Sequence, residues 1–427
     1  MDHDTPESTS ARSQKRGVGT ESSSSTSLVS AALRILLNYL LLLKTVMTHS
    51  DNQYSKLRWL LTIAGLVLYV VDIWTDSALV VKYFLETQYI WTGLTLAFVI
   101  TGQTVTQTFS FAWYSDDMED ALINPEGKRK IAGLSRCKLM AAHLCGGGIF
   151  IRYYHLLKRG YKAVWAAGDG TCVEHHSLFC LATDLSMLKL FEAFMESVPQ
   201  LLLQLYILLG RGQCSVMQYV SVSFSFLNTA WALVDYRRCL RRSLPHVTDM
   251  PSGLPTLIYL LYKLGTITSH ILSYGLLLLL STYSAAALAV LWLLGTTWAH
   301  WLKTNFCSSQ RLELLYRAVV GVILTFTYFN VKGQNMKVEM ISYYVSHAAI
   351  NVMAPTLLFL LQPDVKSDTL LLTVSGLIVG GSLLGLVCLV SYYLFLHPKG
   401  NWREADEVDG TGRDTGTSRR IRNFLQP

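Results

Sequence analysis

The residues that could do chemistry here are ionisable groups placed where ionisable groups are costly. Asp72 and Asp76 sit in LYVVDIWTDSALVV, four apart and on one face if the run is helical. In TDLSMLKLFEAFMESVPQLLLQLYILL, Lys189, Glu192 and Glu196 follow one another at i, i+3 and i+7, and Gln200 and Gln204 extend that face. WALVDYRRCL adds Asp235 and Arg238. Within an apolar run each charge is strongly disfavoured unless it is paired or meets water. Together Asp72, Asp76, Glu192, Glu196 and Asp235, set against Lys189 and Arg238, read as a polar seam between helices. Such a seam either lines a path for a polar species or only ties the bundle together through ion pairs. The residues alone weigh these two readings equally.

Other chemistry is missing. There is no GxxxxGK followed by Ser or Thr, so no P-loop hydrolyses ATP, and HExxH and GxSxG do not occur. Asp72 and Asp76 share one helix, whereas an aspartyl-protease dyad needs two carboxylates brought face to face. Gly146, Gly147 and Gly148 interrupt an apolar run without forming GxGxxG, and read as close helix packing. The eight cysteines make no CxxC pair and no zinc-like spacing with His. Cys172 and Cys180 lie in a polar connection, the one place that offers a disulfide. No metal, cofactor or catalytic residue is expected.

A second motif lies in the polar C-terminal tail. Asp406-Glu407-Val408-Asp409 is followed by Gly410. Executioner caspases need Asp before the scissile bond, prefer Asp three residues upstream, and want a small residue after the cut. A flexible, Gly-flanked tail can enter a protease cleft. Cleavage after Asp409 is the expectation, against an acidic turn with no protease role. The released segment carries Arg413, Arg419, Arg420 and Arg422 and ends in Ile421, Phe424 and Leu425. A short basic segment with an apolar tip either plugs a cytosolic cavity, making the tail inhibitory, or lies on anionic lipid.

The elements that must position these residues follow from composition. Hydrophobic residues make up 51% of the 427 and charged residues 15%, well below the roughly 25% usual in soluble chains. A disordered chain and a typical cytosolic enzyme are excluded. Ten apolar runs, at roughly 57–85, 89–114, 131–157, 178–209, 216–240, 254–281, 283–305, 312–331, 339–362 and 370–396, are each long enough to cross a bilayer. The net charge of +7 then reflects cytoplasmic loops rather than a nucleic-acid partner.

Basic residues set the topology. Lys56 and Arg58, Lys128 to Lys130, Arg237 to Arg242, Lys399 and the arginines at 419–422 all belong inside by the positive-inside rule. Ten full crossings cannot satisfy this. The expected fold is therefore an all-α polytopic membrane protein of about eight transmembrane helices plus two re-entrant or half-inserted segments, one in each half, with both termini cytoplasmic. The 178–209 run, the most polar and the one holding Pro199, is the candidate in the first half. Lys263, His270, Glu313, Arg317, Lys332 and Lys337 lie near run ends, where snorkelling to the interface is expected. The domains divide as a disordered or amphipathic extension over 1–50, helical halves over 51–250 and 251–397, and a cytosolic tail over 398–427. Met47, just before the first strong span, is an alternative start.

IAGLVLYVVDIWTDSALVVKYF, GGGIFIRYYHLLKRGYKAVW, TDLSMLKLFEAFMESVPQLLLQLYILL, WALVDYRRCLRRSLP and YRAVVGVILTFTYFNVKGQN resemble the XK-related family of membrane proteins over most of residues 57–427. The resemblance implies a caspase-activated phospholipid scramblase at the plasma membrane. It would move phosphatidylserine and other phospholipids between leaflets without ATP, and would itself be a caspase substrate rather than an enzyme. It also implies two pseudo-related halves of helices, including partly inserted ones, and intramembrane charged positions at Asp72, Asp76, Lys189, Glu192, Glu196, Asp235 and Arg238, with His270 a departure in the sixth run. The partners it implies are phospholipids, an executioner caspase and, for some members, a single-span immunoglobulin-type chaperone subunit. The alternatives are a secondary transporter or channel for a small solute, and a non-catalytic membrane scaffold.

Overall fold

The computed structural model describes residues 54–119, 130–131, 134–165, 172–211, 216–243, 250, 253–331, 337–361 and 369–396. Helix α1, Lys56–Leu85, starts where the Ser55 hydroxyl accepts the Arg58 amide, and ends at a tight turn with Thr87 in the left-handed region. Helix α2, Tyr89–Glu119, follows. A two-residue hairpin pairs Lys130–Ile131 with Leu134–Ser135, and leads into α3, Arg136–Leu144, and α4, Gly148–Trp165. Next comes one long rod: α5, Cys172–Glu192, a π-helical turn at Ala193–Ser197, and α6, Val198–Arg211. Helix α7 is Val216–Ser243. The second half holds α8, Leu254–Leu280, α9, Ser284–Trp301, α10, Gln310–Phe326, α11, Lys337–Leu361, and α12, Thr369–Ser391, which runs on through a π-helical turn at Tyr392–Leu396.

The burial pattern is the reverse of a soluble protein's. Trp74 is 70% exposed and Leu383 60%, while Glu192 and Glu196 are each 2% exposed. Water would reject such an apolar exterior; a bilayer accepts it. Four helices, Lys56–Leu85, Leu254–Leu280, Lys337–Leu361 and the Thr369–Leu396 stretch, are long and apolar enough to cross a membrane. The chain is an all-α, multi-pass membrane protein.

Two elements sit at the centre. The α5–α6 rod packs on α7, α2 and α8, and α8 packs most extensively on α12. Glycine sets the second contact: a Cβ on Gly265 would lie 2.7 Å from the Gly381 carbonyl oxygen, so only glycine lets these two backbones approach. Ser269 Oγ donates across the same seam to the Ile378 carbonyl at 3.1 Å.

Three expectations are corrected. The 178–209 run does not dip and return: among the described residues α5 and α6 do not fold back on each other, and the rod continues through its π-helical turn. That turn ends two residues before Pro199, where the i→i−4 ladder loses a donor. The interrupted run in the first half is 131–157, broken between Leu144 and Gly148. There Gly146 adopts φ 77°, and Gln107 accepts the Gly148 amide at 2.8 Å and donates to the Gly146 carbonyl at 3.0 Å. Finally, Cys172 and Cys180 are not in a polar connection. Both stand on α5, eight residues apart.

Candidate functional site

The rod builds the site. Its face carries Lys189, Glu192, Glu196 and Gln200, with Glu196 inside the π-helical turn. Helix α1 brings Asp76 against it, so that Gln200 Nε2 donates to Asp76 Oδ1 at 2.5 Å and the Asp76 carboxyl comes close to that of Glu196. Lys189 Nζ lies 2.9 Å from Glu192 Oε2 and 4.4 Å from the centre of the Tyr69 ring, within electrostatic range of Asp72. Six of the residues singled out in the sequence, Asp72, Asp76, Lys189, Glu192, Glu196 and Gln200, thus form one centre. It sets four carboxyl groups against a single ammonium.

Helix α2 closes over this centre at Gly102. A Cβ there would come within 2.5 Å of Glu196 Oε2 and 2.6 Å of Glu196 Cβ. Two buried acceptors, Glu196 Oε2 and Gln200 Oε1, have no donor among the described residues. Such atoms cost about 1–3 kcal/mol each unless water or a ligand meets them.

Asp235 and Arg238 belong to a different cluster. Asp235 faces Arg238, Arg58 and Arg242, and accepts a weak S–H bond from Cys239 at 3.9 Å. Tyr153 lies between the two groups, within electrostatic range of Lys189 and Glu192 as well as of Asp235. The predicted single seam is therefore two clusters bridged by a tyrosine.

A third polar group was missed by the sequence reading. Arg152 Nη1 pairs with Asp184 Oδ2 at 3.1 Å, with the two side chains only 2% and 3% exposed. Arg152 Nε donates to Ser110 Oγ at 2.9 Å and Nη2 to the Ser110 carbonyl at 3.1 Å. His143 completes the arrangement, with Nδ1 2.7 Å from the Leu139 carbonyl and Nε2 3.0 Å from Ser110 Oγ. The signal was an arginine inside the apolar IFIRYYHLL and an aspartate five residues before Lys189.

In the second half, Lys263 and His270 do not snorkel. Both are buried, and they close the C-terminal end of α10. Lys263 Nζ donates to the Tyr328 carbonyl at 2.8 Å and to Thr327 Oγ1 at 3.0 Å. His270 Nδ1 meets the Phe326 carbonyl at 2.9 Å, and Tyr274 donates to the Thr325 carbonyl at 2.9 Å. A buried helix end leaves carbonyls without intrahelical partners, and these side chains supply them. Glu313 is buried too: it accepts the Phe306 and Cys307 amides and lies 3.5 Å from Arg317 Nε. Lys337 is exposed as expected, at the start of α11.

The cleavage motif Asp406, Glu407, Val408, Asp409 and Gly410, the tail residues Arg419, Arg420, Ile421, Arg422, Phe424 and Leu425, and the 1–50 extension lie outside the described residues. Among those described, no group of three His, Cys, Asp or Glu side chains is arranged to hold a metal.

A family model for XK-related proteins matches residues 60–398. The chain is 57% identical to XK-related protein 9 of Tetraodon nigroviridis, over 88% of this chain and all of that protein. It is 31% identical to XK-related protein 8 of Pan troglodytes, over 82% of this chain and 87% of that protein, and 30% identical to XK-related protein 8 of Gasterosteus aculeatus, over 85% and 89%.

Proposed function

The chain belongs to the XK-related family, and from that premise we propose that it is a phospholipid scramblase of the plasma membrane, activated when a caspase removes its C-terminal tail. Crossing the bilayer core strips a lipid headgroup of water at large cost. A polar centre inside an apolar bundle lowers that cost while the acyl chains stay in lipid. Flow runs down the gradient, which is consistent with a sequence lacking a P-loop.

The observation that carries this reading is the acid-rich centre with its two acceptors, Glu196 Oε2 and Gln200 Oε1. Ammonium-bearing headgroups such as those of phosphatidylserine supply donors of the matching kind. In this reading Glu192, Glu196 and Lys189 lie nearest the path, and Asp72 and Asp76 hold it open. The two helical halves, 51–250 and 251–397, share the scaffold, and 398–427 is the inhibitory tail with both termini in the cytosol. The protein makes and breaks no covalent bond in its lipids.

Protein truncated after Asp409 is reconstituted in liposomes carrying a fluorescent lipid. The expected result is rapid exchange between leaflets without ATP. Exchange no faster than in empty vesicles overturns the proposal. The same acid-rich centre also fits an ion-coupled solute carrier; flux of a solute in these liposomes without lipid exchange would favour that reading.

A further inference from the structure

The interrupted segment of the first half is also the most one-sided in charge. Between Gly127 and Gly168 the chain carries nine Lys and Arg and no Asp or Glu. Of its 36 Lys and Arg, the other 27 meet 29 Asp and Glu, so the whole surplus of +7 resides in this one segment. Helices α3 and α4 are its two arms. Helix α3 runs inward beside α2, where His143 Nε2 meets Ser110 Oγ. Helix α4 returns to the start of α1, where Trp59 Nε1 donates to the Leu157 carbonyl at 3.0 Å and Lys56 Nζ lies 4.7 Å from the centre of the Trp165 ring. Both open ends therefore face the cytosolic side, with the Gly146–Gly148 break as the tip.

Each arm is ordered along its length as a lipid is. Near the tip Leu144 and Phe150 are exposed. Toward the open end stand Lys138 on α3 and Lys158 and Lys162 on α4, all exposed. Among the described residues these three lysines pair with no carboxylate, and Lys158 Nζ meets only Tyr154, whose hydroxyl is 3.3 Å away. Lys138 lies about 9 Å and Lys158 about 15 Å from the helix ends at the tip, counted along the axes, so one headgroup can reach both.

The floor between the arms is polar. The Tyr114 ring of α2 is 6.1 Å from that of His143 on α3 and 6.5 Å from that of His155 on α4, centre to centre, and 4.1 Å from the Arg152 guanidinium carbon. Arg152 is engaged by Asp184 and Ser110. Tyr114 is 1% exposed, yet its hydroxyl has no hydrogen-bond partner among the described residues, and His155 Nδ1 is buried without one as well. Unpaired polar atoms at such a depth call for a partner from outside the fold.

We propose that the α3–α4 hairpin holds a phosphoinositide of the cytosolic leaflet as a resident ligand. Its phosphomonoesters meet Lys138, Lys158 and Lys162, the phosphate nearest the tip accepts from Tyr114 Oη and His155 Nδ1, and its acyl chains lie on Leu144 and Phe150. Basic clefts between membrane helices on the cytosolic side suit such headgroups. Phosphatidylserine, with one net negative charge, would leave two of the lysines unmatched, whereas two phosphomonoesters bring about three to four negative charges. The proposal does not rest on the scramblase reading.

Full-length protein in detergent is titrated with dioctanoyl phosphatidylinositol 4,5-bisphosphate and followed by native mass spectrometry. One lipid is expected to bind saturably, at least tenfold more tightly than dioctanoyl phosphatidylserine or than inositol 1,4,5-trisphosphate, which lacks the chains. Lys138→Gln/Lys158→Gln/Lys162→Gln weakens binding at least tenfold. The charge-matched control Lys303→Gln/Arg311→Gln/Lys337→Gln weakens it less than twofold. All six side chains are exposed, so both variants melt with wild type in lipid-free detergent. Tyr114→Phe weakens binding severalfold without lowering the lipid-free midpoint, since it removes only an unpaired hydroxyl. Equal weakening in the two triple variants assigns the effect to general surface charge and overturns the proposal. Equal affinity for phosphatidylserine overturns the headgroup, equal affinity for the trisphosphate overturns a lipid as the occupant, and unchanged binding in Tyr114→Phe overturns the placement between the arms. No lipid exchange is measured, so this proposal and the scramblase reading fail separately.

Discussion

Replacing Arg152 by Met tests the buried pair at the heart of the first half. Arg152 on α4 spends its guanidinium on two other helices: Nη1 on Asp184 of α5, and Nε and Nη2 on Ser110 of α2. With the two side chains 2% and 3% exposed, no solvent replaces what is lost. Removing one partner of such a pair leaves an uncompensated charge and costs about 3–5 kcal/mol. The lost donors to Ser110 add about 1 kcal/mol each. A combined loss of about 5–7 kcal/mol is roughly four to five powers of ten in the folded-to-unfolded ratio. The double variant Arg152→Met/Asp184→Leu removes both charges and recovers most of the loss, since apolar side chains of similar volume tolerate this environment. Arg152→Lys recovers little, because one ammonium cannot reproduce a planar fork aimed at two helices. Melting midpoints and monodispersity of detergent-purified protein order the four proteins as wild type, double variant, Lys variant and Met variant, from most to least stable. If Arg152→Met melts with wild type, or the double variant melts below it, the reasoning about the pair is wrong.

Gly102→Ala forces a methyl against Glu196 and costs about 1–3 kcal/mol by overpacking; a chromatographic profile identical to wild type would argue against that contact. Gly265→Ala drives a Cβ toward the Gly381 carbonyl and lowers the melting midpoint, whereas the open neighbour Gly376→Ala leaves it unchanged. Lys263→Met leaves the Tyr328 carbonyl and Thr327 hydroxyl without their donor and costs about 2 kcal/mol, measured as the same midpoint. Glu196→Gln in tail-truncated protein slows lipid exchange in liposomes severalfold with little change in melting, while Glu196→Leu abolishes it.

Much of the first-half centre was legible because helical spacing alone puts Lys189, Glu192 and Glu196 on one face, and the apolar runs around them leave no other reading of their cost. What the spacing could not give was the partner. Asp72 and Asp76 join this centre while Asp235 does not, and that depends on where α1 and α7 cross the rod. The same limit hid the pair of Arg152 and Asp184, which lie in different runs and meet where α4 packs on α5. Two misreadings have a common cause. Pro199 in a polar run looked like a break, and a glycine triplet looked like close packing. In the fold a π-helical turn absorbs the proline, and Gln107 from another helix stabilises the break at Gly146–Gly148. Local sequence shows where a helix is weak; side chains from elsewhere decide whether it yields.

The two halves use buried charge differently, and the difference bears on function. At the second centre Lys263 donates to the Tyr328 carbonyl, His270 Nδ1 meets the Phe326 carbonyl, and Ser273 donates to Asn351, which in turn donates to Ser382. These bonds close a helix end and tie α8 to α10, α11 and α12, which is architecture. At the first centre, four carboxyl groups face one lysine, Lys189 keeps 27% of its side chain exposed, and Glu196 and Gln200 retain unmet acceptors. A site built only to hold helices together gains nothing from unmet acceptors, since an apolar side chain of the same size would hold them better. Unmet polar capacity is of use to a species that arrives and leaves. By this reasoning Lys263→Met disturbs stability more than transport, and Glu196→Gln transport more than stability. Measuring both quantities in both variants decides the matter: equal proportional effects in the two would place the Glu196 centre with the architecture.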